Sequence, residues 1–360
     1  MMKENRLKFT IIAILIGLVI GAIILLAVGY NPLEAYGIMI AGVFGSPKYI
    51  SWTIIKSTPL ILTGISVAFA FKTGLFNIGA EGQFIIGALV ATLAGYFLHL
   101  PPVLHAIVAL LLACLAAALW GGFAGFLKSK FGVNEVITTI MLNWIAFYLS
   151  NFLVYWDKFK RPNSEASQKI LSSASIAFPK EFGSSLGSFF NAPVNFGFII
   201  AILVAFLIKY VLNDTTLGYE LRAVGFNKDA AEYGGINVKK NTITAMMIAG
   251  AISGLAGAVH VLGVTNEISI LSAMEGNGFD GMAVSLIGGN SPIGCIFAGL
   301  LFGALKYGGY KIQPIMGAPS EIINIVIGII VFFIAMPKMI EGLTTIRSRR
   351  KRGGEVERSK

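Results

Sequence analysis

The chain has 360 residues, of which 56% are hydrophobic and 13% are charged. Soluble domains carry about 25% charged residues, so this composition excludes an ordinary soluble protein and indicates a polytopic, all-α membrane protein. The net charge of +10 does not indicate nucleic-acid binding, because residues 347–360 alone hold seven Lys or Arg against two Glu, and the other basic residues are scattered over loops.

Ten apolar stretches follow one another along the chain, most of them near the roughly 20 residues that a membrane-crossing helix needs. The first follows a basic head, exceeds the apolar core of a secretory signal and lacks an A-x-A cleavage site, so we interpret it as a retained span. The stretches lie at about 9–29, 51–71, 77–98, 103–127, 133–155, 196–212, 242–262, 279–288, 292–307 and 320–340.

Polar residues interrupt the chain between the second and third stretches. The sequence FKTGLFNIGAEGQ, residues 71–83, contains Lys72, Asn77, Glu81 and Gln83. Interrupted backbone at membrane depth is tolerated only where it is buried in protein or lines a wet cavity, so this break predicts a transport pathway. An ionisable group at such depth is costly, which makes Glu81 a functional candidate. The alternatives are that Glu81 pairs with Lys72 or caps a helix, and that the two carboxamides satisfy broken backbone.

The fifth stretch carries a polar face. Asn134 and Glu135 precede it and are explained by helix capping and by the favourable placement of an acid at a helix N-terminus. Thr139 and Asn143 are four residues apart and therefore share one face of the helix, next to Trp144. This stripe predicts either a wall of the pathway or interhelical hydrogen bonds.

Two polar segments separate later stretches. Residues 156–195 are expected to form the largest external loop, and residues 213–241 are expected on the cytoplasmic side. The second segment predicts short helices, with Asn227 as an N-cap and Gly235 near a C-terminal stop. Its charges balance, so it is either a docking surface for a soluble partner or a solvated connector. No GxxxxGK[ST] motif occurs, so any ATP would be hydrolysed by another chain.

A second break, GGNSP at residues 288–292, divides the eighth and ninth stretches. Basic residues at both ends of the chain place both termini in the cytoplasm, which requires an even number of crossings and favours ten. Residues 279–307 then form a short pair that dips in and returns, with Asn290 in its turn. The resemblance of this pair to the region around residues 71–83 indicates a weak internal repeat, or recurrent small-residue packing alone.

The remaining reactive side chains are isolated. Cys114 and Cys295 lie inside apolar runs, and no HExxH or CxxC spacing accompanies the three histidines. We therefore expect no disulfide, metal site, cofactor or catalytic residue.

Four segments, in this order, resemble the membrane permease subunits of bacterial ABC importers, and most closely the nucleoside-uptake group. The ribose-type branch typically has a GGIDLSVG-like stretch where this chain has FNIGAEGQF. The segments are FKTGLFNIGAEGQ (71–83), GVNEVITTIMLNWIA (132–146), LRAVGFNKDAAEYGGI (221–236) and GGNSPIG (288–294).

The resemblance implies partners as well as a fold. Asp229, Ala230, Ala231 and Gly235 match the E-A-A-x-x-x-G core of the importers' coupling segment, with Asp replacing Glu, whereas the more distal I-x-L-P portion is absent. The family implies two permease chains, identical or related, on a pair of ATP-hydrolysing subunits in the bacterial plasma membrane. It also implies an extracellular or lipid-anchored nucleoside-binding protein.

We predict a ten-span permease domain over residues 1–346 and a basic cytoplasmic tail over 347–360 that meets anionic lipid. It is expected to import nucleosides by alternating access and to perform no chemistry itself. The alternatives are a permease for a simple sugar such as ribose, and an ion-coupled secondary transporter or channel. The expected pathway residues are Asn77, Glu81, Gln83, Thr139, Asn143 and Asn290, and the expected ATPase-coupling residues are Arg222, Asn227, Asp229, Ala230, Ala231 and Gly235.

Overall fold

The computed structural model describes residues 2–178 and 192–335, so the predicted tail (347–360) and part of the predicted external loop (179–191) lie outside the described residues. The described residues form helices and connecting segments without a strand, which confirms the all-α class. The helices are α1 Met2–Ala27, α2 Pro32–Phe44, α3 Pro47–Lys72, α4 Ala80–Phe97, α5 Leu104–Phe131, α6 Glu135–Val154, α7 Gly197–Asp214, α8 Thr216–Phe226, α9 Lys228–Tyr233, α10 Val238–His260, α11 Asn277–Ile287, α12 Pro292–Gly309, α13 Ile312–Met316 and α14 Ser320–Ala335.

Most predicted stretches coincide with helices. Among the described residues, seven helices are long and apolar enough to cross a membrane, or eight if α1 and α2, which meet at 119°, form one bent span. Helix α11 has 11 residues and the described part of α14 has 16, both short of the roughly 20 needed for a full crossing. Ten crossings and cytoplasmic termini therefore stay predictions.

The described residues divide into two compact units, one within residues 2–45 and 305–335 and the other within 46–304. In the smaller unit α1 packs on α14, where a Cβ on Gly17 would press on the backbone of Ile330. This unit contains α2, which the hydropathy pattern missed because its 13 residues are too few to register as a span. Helix α2 begins at an Asn31 cap, whose side chain accepts a hydrogen bond from the Leu33 amide.

Local sequence sets the helix ends in the larger unit. The side chain of Asn134 accepts the Val136 amide hydrogen bond (2.8 Å) at the start of α6. Asn227 does the same for Ala230 (3.0 Å) at the start of α9, and Gly234 ends that helix. These contacts confirm the predicted caps, because an Asn side chain supplies an acceptor that the first turn of a helix lacks.

Small residues bring α4, α5 and α10 close together in the core of the larger unit. A Cβ on Gly87 of α4 would overlap the Gly254 carbonyl of α10, and a Cβ on Gly254 would overlap Ala117 of α5. Gly257 likewise lies against the Phe84 carbonyl. Close backbone approach through Gly and Ala is how helices gain van der Waals packing in a membrane, where no hydrophobic force draws them together.

Helices α11 and α12 pack beside α3. Gly299 and Gly303 of α12 lie against Ile61 and Ser57 of α3, so the two helices run antiparallel. Helix α11 spans about 16 Å at 1.5 Å per residue. It starts near Thr63, well inside α3, and ends at the turn formed by residues 288–291. A helix therefore begins in the interior of the unit.

We expect Gly87→Val to lower the melting temperature of the detergent-solubilised protein strongly, because its side chain has no space against the α10 backbone. Overpacking of a tight core costs about 1–3 kcal/mol. Gly328→Val is the matched control, since no atom lies within 4 Å of a Cβ at Gly328 in α14. Equal melting temperatures for both variants would contradict the tight packing of α4 on α10.

Candidate functional site

The interior start of α11 is capped by a residue from another helix. Its N-cap, Gly276, has no side chain and a φ of 80°. The fully buried Glu81 carboxylate of α4 accepts hydrogen bonds from the amides of Gly276 (2.8 Å) and Gly278 (2.5 Å). Thr63 of α3 donates to the Asn277 carbonyl at 3.0 Å. Glu81 thus supplies the acceptors that the first turn of α11 lacks, which accounts for a buried acid at this position.

The starts of α4 and α11 are in direct backbone contact. A Cβ on Gly278 would overlap the backbone of Glu81, and a Cβ on Gly281 would overlap Thr63. The sequence contains a repeated pattern at this contact, which we did not single out from the sequence alone. GAEG at residues 79–82 and GFDG at residues 278–281 repeat the pattern of two glycines around an acid, at the first turn of each helix.

Asn77 and Gln83 brace the break between α3 and α4. Their carboxamides form two reciprocal hydrogen bonds of 3.0 and 3.3 Å, and Asn77 also accepts from the Gly79 amide at 3.0 Å. Both side chains are buried. Their hydrogen bonds therefore serve the irregular backbone that leads into α4.

The polar stripe of α6 meets the same break. Asn143 accepts from the Gly82 amide (2.8 Å) and donates to the Ile78 carbonyl (3.0 Å). Thr139 donates to the Glu135 carbonyl of its own helix and lies against Gly79. Five of the six predicted pathway residues thus come together around residues 77–83, where all five make hydrogen bonds within the chain.

Asn290, the sixth, belongs to another turn. It has a φ of 52° between α11 and α12, and its side chain accepts a hydrogen bond from the Ser285 hydroxyl at 2.9 Å. Its amide donates to the Ser285 carbonyl at 2.8 Å. Asn tolerates the left-handed conformation better than most residues, so the turn explains its presence.

Helix α9 presents an unusual surface. Phe226 before it and Tyr233 at its end are 92% and 98% exposed, whereas Ala231 is buried. Asp229 lies in its first turn and Ala230 is exposed. The other predicted coupling residues have local roles: Arg222 donates to the Gly218 carbonyl, Asn227 caps α9, and Gly235 has a φ of 83° after its end.

Helix α8 connects this surface to the break between α3 and α4. A Cβ on Gly225 would press on the backbone of Lys72 and Thr73, and a Cβ on Gly74 would press on Gly225. Since the residue after Gly225 is Phe226, the exposed surface and the break are one residue apart through packed backbone. The backbones of α8 and of the break are therefore in direct contact.

A cavity of about 330 Å³ lies between α4, α6, the end of α10 and residues 266–276. Phe84 forms part of its apolar wall, with its ring centroid 6.0 Å from that of His260. Helix α10 ends there in one π-helical turn, Val261–Thr265, a feature frequent at functional sites. The polar lining consists of Ser150, His260, Thr265, Glu267, Ser269 and Glu275.

Residues 266–276, which we call the connecting segment, are held on two sides. Arg161 of the predicted external loop pairs with Glu267 at 2.5 Å. Asn151 of α6 exchanges two hydrogen bonds with the backbone of Leu271, at 2.8 and 2.9 Å. The segment is thus an ordered wall of the cavity, attached to the loop at one end and through Gly276 to Glu81 at the other.

The cavity offers acceptors rather than a metal site. Carboxylates can accept hydrogen bonds from a polyhydroxylated ligand, hydroxyls can both donate and accept them, and the Phe84 ring supplies an apolar face. Among the described residues no group of three His, Cys, Asp or Glu could hold a metal ion. Our sequence reading missed this lining. The signal was available in NEISILSAMEGNG, residues 266–278, where two acids stand at the two ends of one mostly apolar run.

Comparisons with known proteins give the following matches. A family described as "Branched-chain amino acid transport system / permease component" matches residues 49–335. The guanosine ABC transporter permease of Bacillus subtilis is 41% identical over 92% of this chain and 94% of its own. A nucleoside ABC transporter permease of Lactococcus lactis is 40% identical over 94% and 93%. A glucose ABC transporter permease of Haloferax volcanii is 30% identical over 90% and 86%. No solved structure matches the chain.

We expect Glu81→Ala to lower the melting temperature more than Glu81→Gln, because glutamine keeps one acceptor for the α11 amides. Loss of an N-cap costs about 0.5–2 kcal/mol, and each buried donor left unsatisfied adds about 1–3 kcal/mol. Glu34→Ala, at an exposed acid in the first turn of α2, serves as the control. If the Glu81→Ala variant has the same melting temperature as the unchanged protein, Glu81 does not stabilise the start of α11.

Proposed function

The chain belongs to the family of permease components of branched-chain amino acid transport systems, and we propose that it is the membrane-spanning subunit of an ABC importer for nucleosides. It would act in the bacterial plasma membrane by alternating access, with ATP hydrolysed on a partner chain. The observation that carries this proposal is the 40 to 41% identity, over nearly the whole chain, to two permeases named for guanosine and nucleosides.

The volume and the lining of the cavity support a nucleoside as the transported substrate. Its volume of about 330 Å³ falls at the lower end of the range of small-molecule sites, about 300–1,000 Å³. Glu267 and Glu275 can accept hydrogen bonds from ribose hydroxyls, and Phe84 can contact the base. We therefore propose that the substrate passes through this cavity.

The predicted residues Asn77, Glu81, Gln83, Thr139 and Asn143 would then brace the adjoining wall. We propose that they shape the pathway through the break and α11, and that Asn290 keeps the turn after α11. Their hydrogen bonds within the chain support a positioning role.

A sugar is the second candidate substrate. The Haloferax volcanii permease named for glucose is 30% identical to this chain, so the fold serves permeases with sugar names as well. A hexose or pentose would use the same carboxylates of the cavity and leave the aromatic wall without a planar partner.

Helix α9 and its flanking aromatics are proposed as the docking site for the ATPase. Phe226 and Tyr233 are almost fully exposed next to the exposed Ala230, and large exposed apolar side chains in a polar segment mark an interaction site. Aromatic residues are also the usual anchors of protein interfaces. A solvated connector does not require exposed aromatic side chains.

The proposed route of coupling passes from α8 to the substrate cavity. Gly225 presses on Lys72 and Gly74, and the break that follows carries Asn77 and then Glu81. Glu81 holds the amides of Gly276 and Gly278, at the end of the connecting segment that forms one wall of the cavity. We propose that a displacement of α9 by the ATPase reaches the wall of the cavity through these backbone contacts and the hydrogen bonds of Glu81.

The proposed assembly contains further chains. A second permease chain, identical or related, would complete the membrane part, and an extracellular or lipid-anchored binding protein would deliver the nucleoside. The Lactococcus lactis and Bacillus subtilis relatives each have a second matching nucleoside or guanosine permease in the same organism, at 29 and 30% identity to this chain, which supports a related pair.

We expect vesicles that contain the permease, its ATPase and its binding protein to accumulate labelled guanosine when supplied with ATP. Glu275→Gln should reduce the initial rate about tenfold, since a hydrogen bond to a charged group contributes about 1.5–3 kcal/mol. Glu165→Gln, at an exposed acid outside the cavity lining, should leave the rate unchanged.

The substrate that accumulates and the energy source that it requires distinguish the candidate functions. Accumulation of ribose or glucose with every nucleoside excluded would replace the nucleoside assignment by a sugar. Accumulation that needs an ion gradient and no ATP would favour a secondary transporter instead.

We expect the double variant Phe226→Ala/Tyr233→Ala to lose co-purification with the ATPase and to lose transport, while its own melting temperature stays near that of the unchanged chain. The reason is that both rings are exposed and stabilise little within the chain. Tyr155→Ala, at an exposed aromatic residue at the end of α6, is the control and should retain the ATPase. Retention of the ATPase and of transport by the double variant would remove α9 from the interface.

A further inference from the structure

A second opening lies on the other side of the connecting segment from the cavity. It is a groove of about 360 Å³ between α6, residues 272–274 and the start of α11. Leu271 lines the cavity, whereas Ser272 and Met274 line the groove. Because Asn151 fixes Leu271 to α6, the connecting segment separates the two openings.

Aromatic rings dominate the groove. Trp144 and Tyr148, one helical turn apart, are 46% and 63% exposed, with ring planes 26° apart and centroids at 6.0 Å. Phe147 meets both of them edge-on, at 5.7 and 5.2 Å. Phe279 of α11 stands across from them in the groove lining. Two exposed ring faces, held by a buried third ring, form a platform for a flat partner.

Trp144 lies near the middle of α6, away from both ends of the helix. Trp144 lies nine residues from the start of α6 and ten from its end, about 14–15 Å from either at 1.5 Å per residue. Trp and Tyr of membrane helices concentrate at the two interfaces with water, and so near the helix ends. The exposed indole of Trp144 lies instead halfway along α6 and lines the groove with the polar Ser272.

We infer that this groove is a second binding site for the substrate, in which the planar base of a nucleoside stacks on Trp144 and Tyr148. The inference rests on the proposed function and adds the recognition of the base to it. Every nucleobase has an aromatic face, so a stacking site accepts purines and pyrimidines alike, whereas a free ribose has no aromatic ring to stack. The groove is then the part of the pathway that distinguishes a nucleoside from ribose.

Tryptophan fluorescence tests the inference in the assembled complex. The complex is placed in lipid nanodiscs, in one form unchanged and in the other with Trp144→Phe, and the difference between their emissions reports Trp144. We expect guanosine to quench this difference signal and ribose to leave it unchanged. The lack of a guanosine effect in a complex that transports guanosine would overturn the inference.

The same fluorescence measurement in nanodiscs tests whether the groove contacts lipid instead of substrate. Nanodiscs made with dibrominated phosphatidylcholine quench a tryptophan that touches acyl chains. If the bromine quenches Trp144 while guanosine does not, the groove is a lipid contact and the inference is wrong.

Transport by variants gives a second measurement. We expect Trp144→Ala to lower the initial rate of guanosine uptake about tenfold, within the range of base stacking on a single aromatic residue. Trp144→Phe should restore most of the rate because a ring face remains, whereas Phe152→Ala, at an exposed ring of α6 outside the groove, should change nothing. Normal uptake by the Trp144→Ala variant would overturn the inference and leave the proposed function in place. A complex that transports no nucleoside at all would overturn the proposed function and the inference with it.

Discussion

The contact of the Glu81 carboxylate with the amides of Gly276 and Gly278 is the constraint on which the larger unit depends. A helix that begins inside a membrane protein exposes unsatisfied amides where water is absent, so it needs an acceptor from elsewhere in the fold. The N-cap of α11 is glycine and offers no side chain. Glu81 supplies that acceptor, and thereby fixes where the connecting segment ends and where one wall of the cavity lies.

Glycine makes that contact possible, and small residues then transmit it. The backbones at Gly278 and Glu81 touch, while Gly87 and Gly254 join α4 to α10 at similarly close range. Side chains larger than hydrogen at these glycines would separate the helices and withdraw the carboxylate from α11. The polar residues of the break have the complementary task, since Asn77, Gln83 and Asn143 satisfy the backbone that leads into α4.

The fold assigns different chemistry to different surfaces. The interior carboxamides hold backbone, the acids of the connecting segment face the cavity, and the aromatic residues of α6 face the groove. The exposed rings at Phe226 and Tyr233 lie at the ends of a short helix whose neighbour, α8, touches the break through Gly225. The backbone contact at Gly225 and the hydrogen bonds of the Glu81 carboxylate thus link the proposed docking surface for the ATPase to the wall of the proposed substrate site.

The sequence by itself determined the class, the approximate positions of most helices, the two breaks and the caps at Asn134 and Asn227, because composition, periodicity and capping act between near neighbours. It also brought Glu81 forward as an unusual acid. Only the tertiary structure decided what Glu81 binds, since Gly276 and Gly278 lie almost 200 residues away along the chain, at separations of 195 and 197. The same holds for the cavity, because Glu267, Glu275 and Phe84 meet through helix packing, and no local pattern encodes contacts over such distances.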